Sequence, residues 1–352
     1  MTGHGNKSPV FRKIITRVLV LFAAVVVGLL LSEVIIRIFH FEWRFIQKAL
    51  PYMDKELETH VADPDPRIVV GLKPNSVGEY MQHFGPFKVT VNSLGFRGPE
   101  RSVKKPPGVF RIVCVGGSNV YGAGLNDDKT WPAQLESQLN ARSSGKYEVW
   151  NLGVSGYNNI QMVAVSEKAM ERYDPDLIIF ALSNFGPRFF KLGTPNIEEY
   201  FEKDPTLWLE LFPPYYFDFP TFLSQEKKLR LLGHVALYRF AMTARLAAGS
   251  EERFISSPVK SPHYIETTRT FLRTAGRRTG VVVFICPAVM PKNFFEPHYR
   301  GLDVSVFILE ADNKPQEYRE YHPPDYVMTW YAENLIRWLH QNNLLPKDDP
   351  AP

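Results

Sequence analysis

From residue 108 onward, short apolar runs alternate with longer amphipathic stretches. Apolar runs that end in small or polar residues predict strands covered on both faces, and the stretches between them predict helices. Strands that alternate with helices form a parallel sheet with helices on both faces, so the pattern predicts an α/β domain. The predicted strands cover 112–115, 147–152, 177–182, 281–286 and 304–309.

The predicted helices have polar residues where caps are expected. Thr130 caps one helix and either Asn158 or Asn159 caps the next, since short polar side chains bond to the first backbone N–H groups of a helix. Two more helices are predicted over 262–278 and 326–341. The alternation of strands and helices therefore continues to the end of the chain.

An unbroken apolar run covers 18–32 and continues beyond Glu33. A transmembrane helix needs about 20 apolar residues, so 15–38 is predicted to span a membrane. The end of the run has no small-residue cleavage site, which favours an uncleaved signal anchor over a signal peptide or a buried core helix. The charged residues before the run are all basic: Lys7, Arg12, Lys13 and Arg17. This charge places the N-terminus in the cytoplasm and the remainder outside the cytoplasmic membrane.

The predicted domain organisation follows from these patterns. Many aromatic residues lie in an insert at about 185–260, which is either a helical subdomain or a lid that shapes the site or faces the membrane. Within this insert, 227–248 has the spacing of a single helix. The segments are a cytoplasmic tail (1–14), the anchor (15–38), a juxtamembrane helix with a small β lead-in (39–107) and the α/β domain (108–345).

Composition excludes several classes of function. The net charge of +4 is too small to indicate nucleic-acid binding. The two cysteines, Cys114 and Cys286, sit in apolar runs and are expected to be buried thiols rather than a disulfide. Cysteines and histidines do not have zinc-site spacing, so no metal or other cofactor is expected.

Small polar residues follow three of the predicted strands. Ser118, Gly153 and Asn184 each come after the carboxyl end of a strand, and His322 precedes the last helix. In open α/β sheets ligands bind at this edge, so the four residues are expected to converge there. Arg188, shortly after Asn184, is a candidate to meet an anionic group of the substrate.

Phosphate-binding and hydrolase-elbow motifs do not fit the turn that contains Ser118. The glycine spacing at 117–122 matches a P-loop, but Ala123 stands where lysine is required, and the dinucleotide fingerprint and the G-x-S-x-G elbow are absent. Acyl chemistry remains. A serine nucleophile needs a histidine base and donors for the oxyanion. Ser118 N–H, Gly153 N–H and the Asn184 amide are candidate donors, and His322 is the candidate base.

Four sequence blocks in this order resemble the SGNH branch of the GDSL-type esterases and lipases. They are GGSN at 116–119, NLGVSG at 151–156, SNF at 183–185 and HP at 322–323. The segment NSLGFRGPE at 92–100 resembles membrane-anchored bacterial members. The resemblance implies a flavodoxin-like α/β/α sandwich that hydrolyses or transfers O-acyl groups without a metal.

The sequence departs from the family pattern at the third member of the triad. The family acid lies three residues before the histidine, where this chain has Arg319. Arginine cannot accept the imidazole N–H, so either Glu317 or Glu320 is a displaced acid, or Ser118 and His322 act as a dyad. Together with the predicted anchor, these features predict a serine esterase or acyltransferase that works outside the cytoplasmic membrane on an acylated envelope glycan or lipid. The alternative is a catalytically degenerate relative that binds envelope glycan or scaffolds an envelope complex.

Overall fold

The computed structural model of the chain describes residues 9–50, 52–53, 58–82, 85–143, 146–182, 186–191, 194, 196–212, 221–247, 262–285, 294–309, 314–317 and 322–346. The chain folds into two compact units. The first comprises residues 1–50 and 211–253, and the second comprises residues 51–210 and 254–352.

Helices and strands are numbered in chain order. The helices are α1 (Pro9–Phe39), α2 (Phe41–Ala49), α3 (Ser118–Tyr121), α4 (Trp131–Arg142), α5 (Asn159–Arg172), α6 (Ile197–Lys203), α7 (Leu207–Leu211), α8 (Gln225–His234), α9 (Ala236–Ala247), α10 (Pro262–Ala275), α11 (Glu296–Tyr299) and α12 (Asp325–Gln341). The strands are β1 (Tyr52–Met53), β2 (His60–Ala62), β3 (Val70–Leu72), β4 (Val77–Gln82), β5 (Gly85–Thr90), β6 (Val109–Gly116), β7 (Lys146–Asn151), β8 (Leu177–Leu182), β9 (Phe190–Lys191), β10 (Gly280–Ile285) and β11 (Ser305–Ile308).

A parallel sheet of five strands forms the centre of the second unit. Its strand order is β11-β10-β8-β6-β7, and every neighbouring pair is parallel. In the register of the sheet, Val113 of β6 lies between Trp150 of β7 and Ile178 of β8. This sheet confirms the predicted α/β fold class and its central parallel sheet of about five strands.

Helices cover both faces of this sheet. On β6, Val113 and Val115 belong to the apolar cluster that includes α5 and α10, whereas Ile112 and Cys114 belong to the cluster that includes α4 and α12. Successive side chains of a strand point to opposite faces, so one apolar run serves both clusters. The prediction of a strand buried on both faces is confirmed.

Of the two cysteines, Cys114 is a buried free thiol, and burial raises its pKa well above the usual value. Cys286 lies outside the described residues.

The predicted helix caps lie where the sequence indicated. Thr130 Oγ1 accepts a hydrogen bond from the N–H of Ala133 at the start of α4. Asn158, rather than Asn159, caps α5, because its side chain accepts from the N–H of Gln161 while the Gln161 side chain accepts from the Asn158 N–H. This reciprocal pair satisfies two N–H groups that the helix cannot pair itself.

Two antiparallel strand pairs precede the main sheet: β2 pairs with β3, and β4 pairs with β5.

The first unit contains the long apolar helix. Among the described residues, the segment Phe11–Phe39 of α1 is the one helix long and apolar enough to cross a membrane, with a mean hydropathy of 2.8. Its length and composition are consistent with a single transmembrane anchor, and a signal sequence would meet the same test.

The structure corrects one helix prediction in this unit. Residues 227–248 were expected to form one helix, but α8 ends at His234 and α9 starts at Ala236. The Glu33 carboxylate accepts hydrogen bonds from the N–H groups of Ala236 (2.9 Å) and Leu237 (2.7 Å). A carboxylate at this position caps the start of a helix, so Glu33 stabilises the break.

Candidate active site

Ser118 is the first residue of α3, and Gly117 alone separates it from the end of β6. Gly117 has an extended backbone before α3, and Gly122 ends the helix in the left-handed region with a φ of 81°. Ser118 itself is half-buried. The first N–H groups of a helix cannot be paired within it, so the Ser118 N–H faces away from the helix. This placement suits a serine whose hydroxyl and N–H both serve one reacting group.

Gly153 packs against the helix that Ser118 begins. A Cβ atom added to Gly153 would lie 2.7 Å from the carbonyl carbon of Val120 and 2.8 Å from Val120 Cβ, and closer still to the backbone nitrogen of Tyr121. Two of these neighbours are backbone atoms, which cannot move like a side chain. The position therefore requires glycine, and the structure places two of the predicted site segments in direct contact.

Replacing Gly153 with alanine is expected to destabilise the protein by about 1–3 kcal/mol, because an overpacked site must displace α3 or the turn. The unfolding midpoint of the full chain in detergent measures this effect. Gly71 in β3 is the matched control, since a Cβ there would meet Asp63 Oδ2 at 3.6 Å, an ordinary contact. Gly71→Ala is expected to be neutral or to stabilise by about 0.5–1 kcal/mol. Equal midpoints for the two variants would contradict the packing at Gly153.

Asn151 connects the two segments through its side chain. Its Nδ2 donates to the carbonyl oxygen of Val120 at 2.8 Å, and its Oδ1 accepts from the N–H of Gly153 at 3.0 Å. The Gly153 N–H therefore already has an acceptor within the chain. For it to serve an oxyanion, it must turn toward the ligand or share its hydrogen between the two acceptors.

His322 lies between β11 and α12, two prolines before that helix begins. The residue is half-buried, and burial lowers the pKa of its imidazole below the usual value. A lower pKa increases the neutral fraction at a given pH, which is the form that accepts a proton. The electrostatics of His322 thus suit a general base.

The remaining predicted site residues are only partly within the described chain. Asn184, Arg319 and Glu320 lie outside the described residues. Glu317 is described, and its carboxylate accepts a hydrogen bond from the hydroxyl of Tyr326, which raises the pKa of Tyr326 to about 12. The assignment of Glu317 or Glu320 as a displaced acid remains a prediction.

Arg188 does not have the role expected from the sequence. Its guanidinium is fully buried and donates to the carboxylates of Glu210 (2.9 Å) and Asp204 (2.6 Å), to Thr206 Oγ1 (3.1 Å) and to the carbonyl of Pro66 (2.8 Å). The prediction that Arg188 meets an anionic group of the substrate is wrong, because two carboxylates of the chain already pair with it.

Two residues that sequence reasoning missed contact α3 directly. Arg97 donates to the carbonyls of Tyr121 and Gly122, and Asn151 makes the contacts described above. Both residues lie within sequence blocks that carry the family resemblance: Arg97 in NSLGFRGPE and Asn151 in NLGVSG. Position within a block was the available signal, but the resemblance assigned no role to either residue.

A cavity of about 260 Å³ lies beside the site, between the β2–β3 region and α5. Gly153 lines this cavity, whereas Ser118 and His322 are not among its walls. Lys168, Arg172 and Asp63 are its charged wall residues, with Lys168 Nζ 3.4 Å from Asp63 Oδ1, and the other walls are largely apolar. Within the part of the chain that the structure describes, no group of three or more His, Cys, Asp or Glu side chains could hold a metal ion.

Comparisons with known proteins give structural similarity only. No family model and no curated protein matches the chain. Among solved structures, the chain is similar to the psychrotrophic esterase EstA from Pseudoalteromonas sp., with 11% identity, 67% of this chain and 99% of that chain covered, and a TM-score of 0.36. It is also similar to a carbohydrate acetylesterase family member from Sinorhizobium meliloti, with 11% identity, coverage of 67% and 100%, and a TM-score of 0.31. Both of these proteins are described as esterases. At these TM-scores the similarity says nothing about the activity of this chain, and the function proposed below rests on its own residues.

Proposed function

We propose that the protein is a serine-dependent esterase or acyltransferase that acts on O-acyl groups, with Ser118 as the nucleophile. The observation that carries this proposal is the packing of Gly153 against the four-residue helix that Ser118 begins. This contact brings the serine turn and the glycine turn together at the carboxyl edge of a parallel sheet, where α/β folds bind their ligands.

The reaction proceeds through an acyl-enzyme. Ser118 Oγ attacks the acyl carbonyl carbon while His322 takes the hydroxyl proton, and the proton passes to the alcohol oxygen as its bond to the acyl carbon breaks. Water or an acceptor hydroxyl then attacks the acyl carbon. His322 takes that proton and returns it to Ser118. The N–H groups of Ser118 and Gly153 and the Asn184 amide hold the oxyanion.

We infer that the protein works at the cytoplasmic membrane, with α1 as a single-pass anchor. The basic residues before the apolar run of α1 favour a cytoplasmic N-terminus, and the catalytic unit then lies outside the cytoplasmic membrane. The substrate in that compartment is an acylated envelope glycan or lipid.

A fluorophosphonate probe tests the proposal. The hydroxyl of an activated serine displaces fluoride from the probe and keeps the phosphonyl group, so the wild type is expected to be labelled on Ser118. Ser118→Ala and His322→Ala are expected to lose the label. A folded wild type that stays unlabelled between about pH 6 and pH 9 would contradict the enzyme, since a histidine base is neutral over most of that range.

The second candidate function is glycan binding or scaffolding by a degenerate site. The bond from Gly153 N–H to Asn151 Oδ1 favours it, because it occupies one proposed oxyanion donor. Arg319 at the usual position of the acid favours it as well. The same probe separates the two functions, because a degenerate site takes up no label.

The pH dependence of turnover is expected to follow the neutral form of His322. Protonation of the imidazole removes the base, so kcat/KM falls as the pH is lowered through the pKa of His322. Because burial lowers that pKa, the acid limb is expected to have its midpoint below about pH 6.5, the value of an unperturbed histidine. Assays with a soluble aryl ester across pH measure the midpoint.

His340→Gln, in the last turn of α12, is the control for this profile and is expected to leave the acid limb unchanged. A wild-type midpoint above about pH 6.5 would contradict the expectation, since an adjacent carboxylate stabilises the imidazolium and raises its pKa.

A further inference from the structure

The helix that begins with Ser118 depends on groups outside itself for its position. It has only four residues, and isolated helices of this length are unstable in water. The last carbonyls of a helix also have no partner within it. In this structure, side chains from two other segments bind the carbonyls at the end of α3.

Arg97 binds most of the carbonyl groups at the end of α3. Its guanidinium is buried, and Nη1 donates to the carbonyls of Tyr121 (2.7 Å) and Gly122 (2.9 Å). Nη2 donates to the carbonyl of Leu125, and Nε donates to Asp127 Oδ1 at 2.7 Å. The guanidinium carbon lies 4.9 Å from the centre of the Tyr121 ring. A rigid fork of donors thus holds the end of α3 and the turn after it in one place.

Asn151 completes this set of contacts. Its Nδ2 donates to Val120, the residue before the two that Arg97 binds, and its Oδ1 holds the N–H of Gly153. The backbones of Asn151 and Arg97 also form an antiparallel β-bridge. The lead-in, β7 and α3 are therefore joined at one point, and consecutive carbonyls of the Ser118 helix accept from two adjacent side chains.

We propose that Arg97 is a positioning residue that, with Asn151, sets the place of Ser118 relative to Gly153. The proposal rests on the function of Ser118 proposed above. Arg97 does not touch the reacting atoms in this scheme, since its bonds go to the far end of α3. A remote change that moves a reacting group by about 1 Å can lower a rate by about 100-fold. Loss of the Arg97 hydrogen bonds is therefore expected to lower the reaction rate as well as the stability of the protein.

Arg111 provides a matched control at the opposite end of β6. It is also buried, its Nε donates to Glu148 (2.9 Å), and its other nitrogens donate to backbone carbonyls, including that of Tyr173 (2.6 Å). Its guanidinium carbon lies 4.4 Å from the centre of the Trp150 ring. The two arginines therefore share burial, a carboxylate, carbonyl acceptors and an aromatic ring, but only Arg97 binds the Ser118 helix.

The experiment compares Arg97→Lys with Arg111→Lys in the full chain. Lysine keeps the charge of either residue but cannot bind several carbonyls as a fork. Both variants are expected to lower the unfolding midpoint. Under conditions where both are folded, Arg97→Lys is expected to lower the rate of fluorophosphonate labelling and kcat by about 10-fold, a part of the about 100-fold that loss of Ser118 would cause, with little change in KM, whereas Arg111→Lys keeps the wild-type rate.

The outcomes separate this proposal from the proposed function. A wild type that takes up no label overturns the enzyme and this proposal with it. A labelled wild type with equal rates in the two lysine variants overturns the positioning role alone.

If Arg97→Lys does not fold, Asn151→Ser decides the question. Its control is Asn140→Ser, since Asn140 likewise bonds both the N–H (2.9 Å) and the carbonyl (3.0 Å) of Tyr147. Slow labelling in Asn151→Ser alone supports the proposal, and equal rates overturn it.

Discussion

Replacing Ser118 with alanine is expected to abolish fluorophosphonate labelling and to lower ester turnover by about 100-fold. The size of this effect follows from the missing acid. A full serine triad loses about 10⁶-fold in kcat with its nucleophile but about 10⁴-fold with its acid alone. An enzyme that already works without the acid has only the remaining 100-fold or so left to lose. The measurement is kcat for a soluble aryl ester in the wild type and in Ser118→Ala.

The ratio of kcat between the wild type and Ser118→Ala also tests whether a carboxylate assists His322. A loss near 10⁶-fold would show that a carboxylate, with Glu317 and Glu320 as the candidates, completes the triad after all. An unchanged rate would contradict the assignment of Ser118 as nucleophile. Ser155→Ala is the control, because Ser155 lies in the turn that contains Gly153 and is half-buried like Ser118. This variant is expected to keep both the label and the wild-type turnover.

The parts of the site that could be predicted from sequence are those encoded by neighbouring residues. The alternation of Ile112 and Cys114 with Val113 and Val115 is enough to specify a strand buried on both faces. The small residues that follow it specify the turn that presents Ser118. The cap at Thr130 is local in the same sense, since its partner is three residues away.

Contacts between distant segments could not be predicted from these patterns. Arg97 binds a carbonyl 24 positions away, and the Glu33 carboxylate caps a helix that begins 203 positions later. Periodicity indicates which face of an element is buried, but it does not indicate which remote polar group pairs with a buried charge. The break at Val235 and the function of Arg97 both depend on such pairs, so each became visible only in the structure.

Arg188 is a further buried charge whose partners come from another segment, since Asp204 and Glu210 lie 16 and 22 positions away. Burial acts to raise the pKa of the Asp204 carboxyl, but the charge of Arg188 and hydrogen bonds from Thr206 and Arg188 outweigh burial and hold that pKa below its usual range. Glu210 accepts from both the backbone N–H and the guanidinium of Arg188. The charge of Arg188 therefore favours the ionised form of Asp204, and Arg188 is also the ion-pair partner of the buried Glu210 carboxylate.

Replacing Arg188 with methionine is expected to destabilise the second unit by about 3–5 kcal/mol at neutral pH, because two buried carboxylates lose their cation. Arg67→Met is the matched control. Arg67 also pairs with two carboxylates, Asp65 (3.2 Å) and Glu167 (2.6 Å), but 44% of its side chain is exposed. Exposed pairs contribute about 0–1 kcal/mol, so this variant is expected to be near wild type. Urea unfolding of the full chain in detergent, followed by tryptophan fluorescence, measures both.

The effect of Arg188→Met is expected to shrink as the pH falls. A carboxyl whose folded pKa lies below its unfolded value stabilises the protein above the unfolded pKa, and this contribution is lost as the pH falls through the folded pKa. The wild type therefore loses the contribution of Asp204 in acid. In the variant, burial without the cation raises the pKa of Asp204, so this carboxyl takes up a proton at a higher pH and its burial is then less unfavourable. The two stabilities should converge toward acid pH. A difference that is independent of pH, or equal to that of Arg67→Met, would show that the charge of Asp204 does not depend on Arg188.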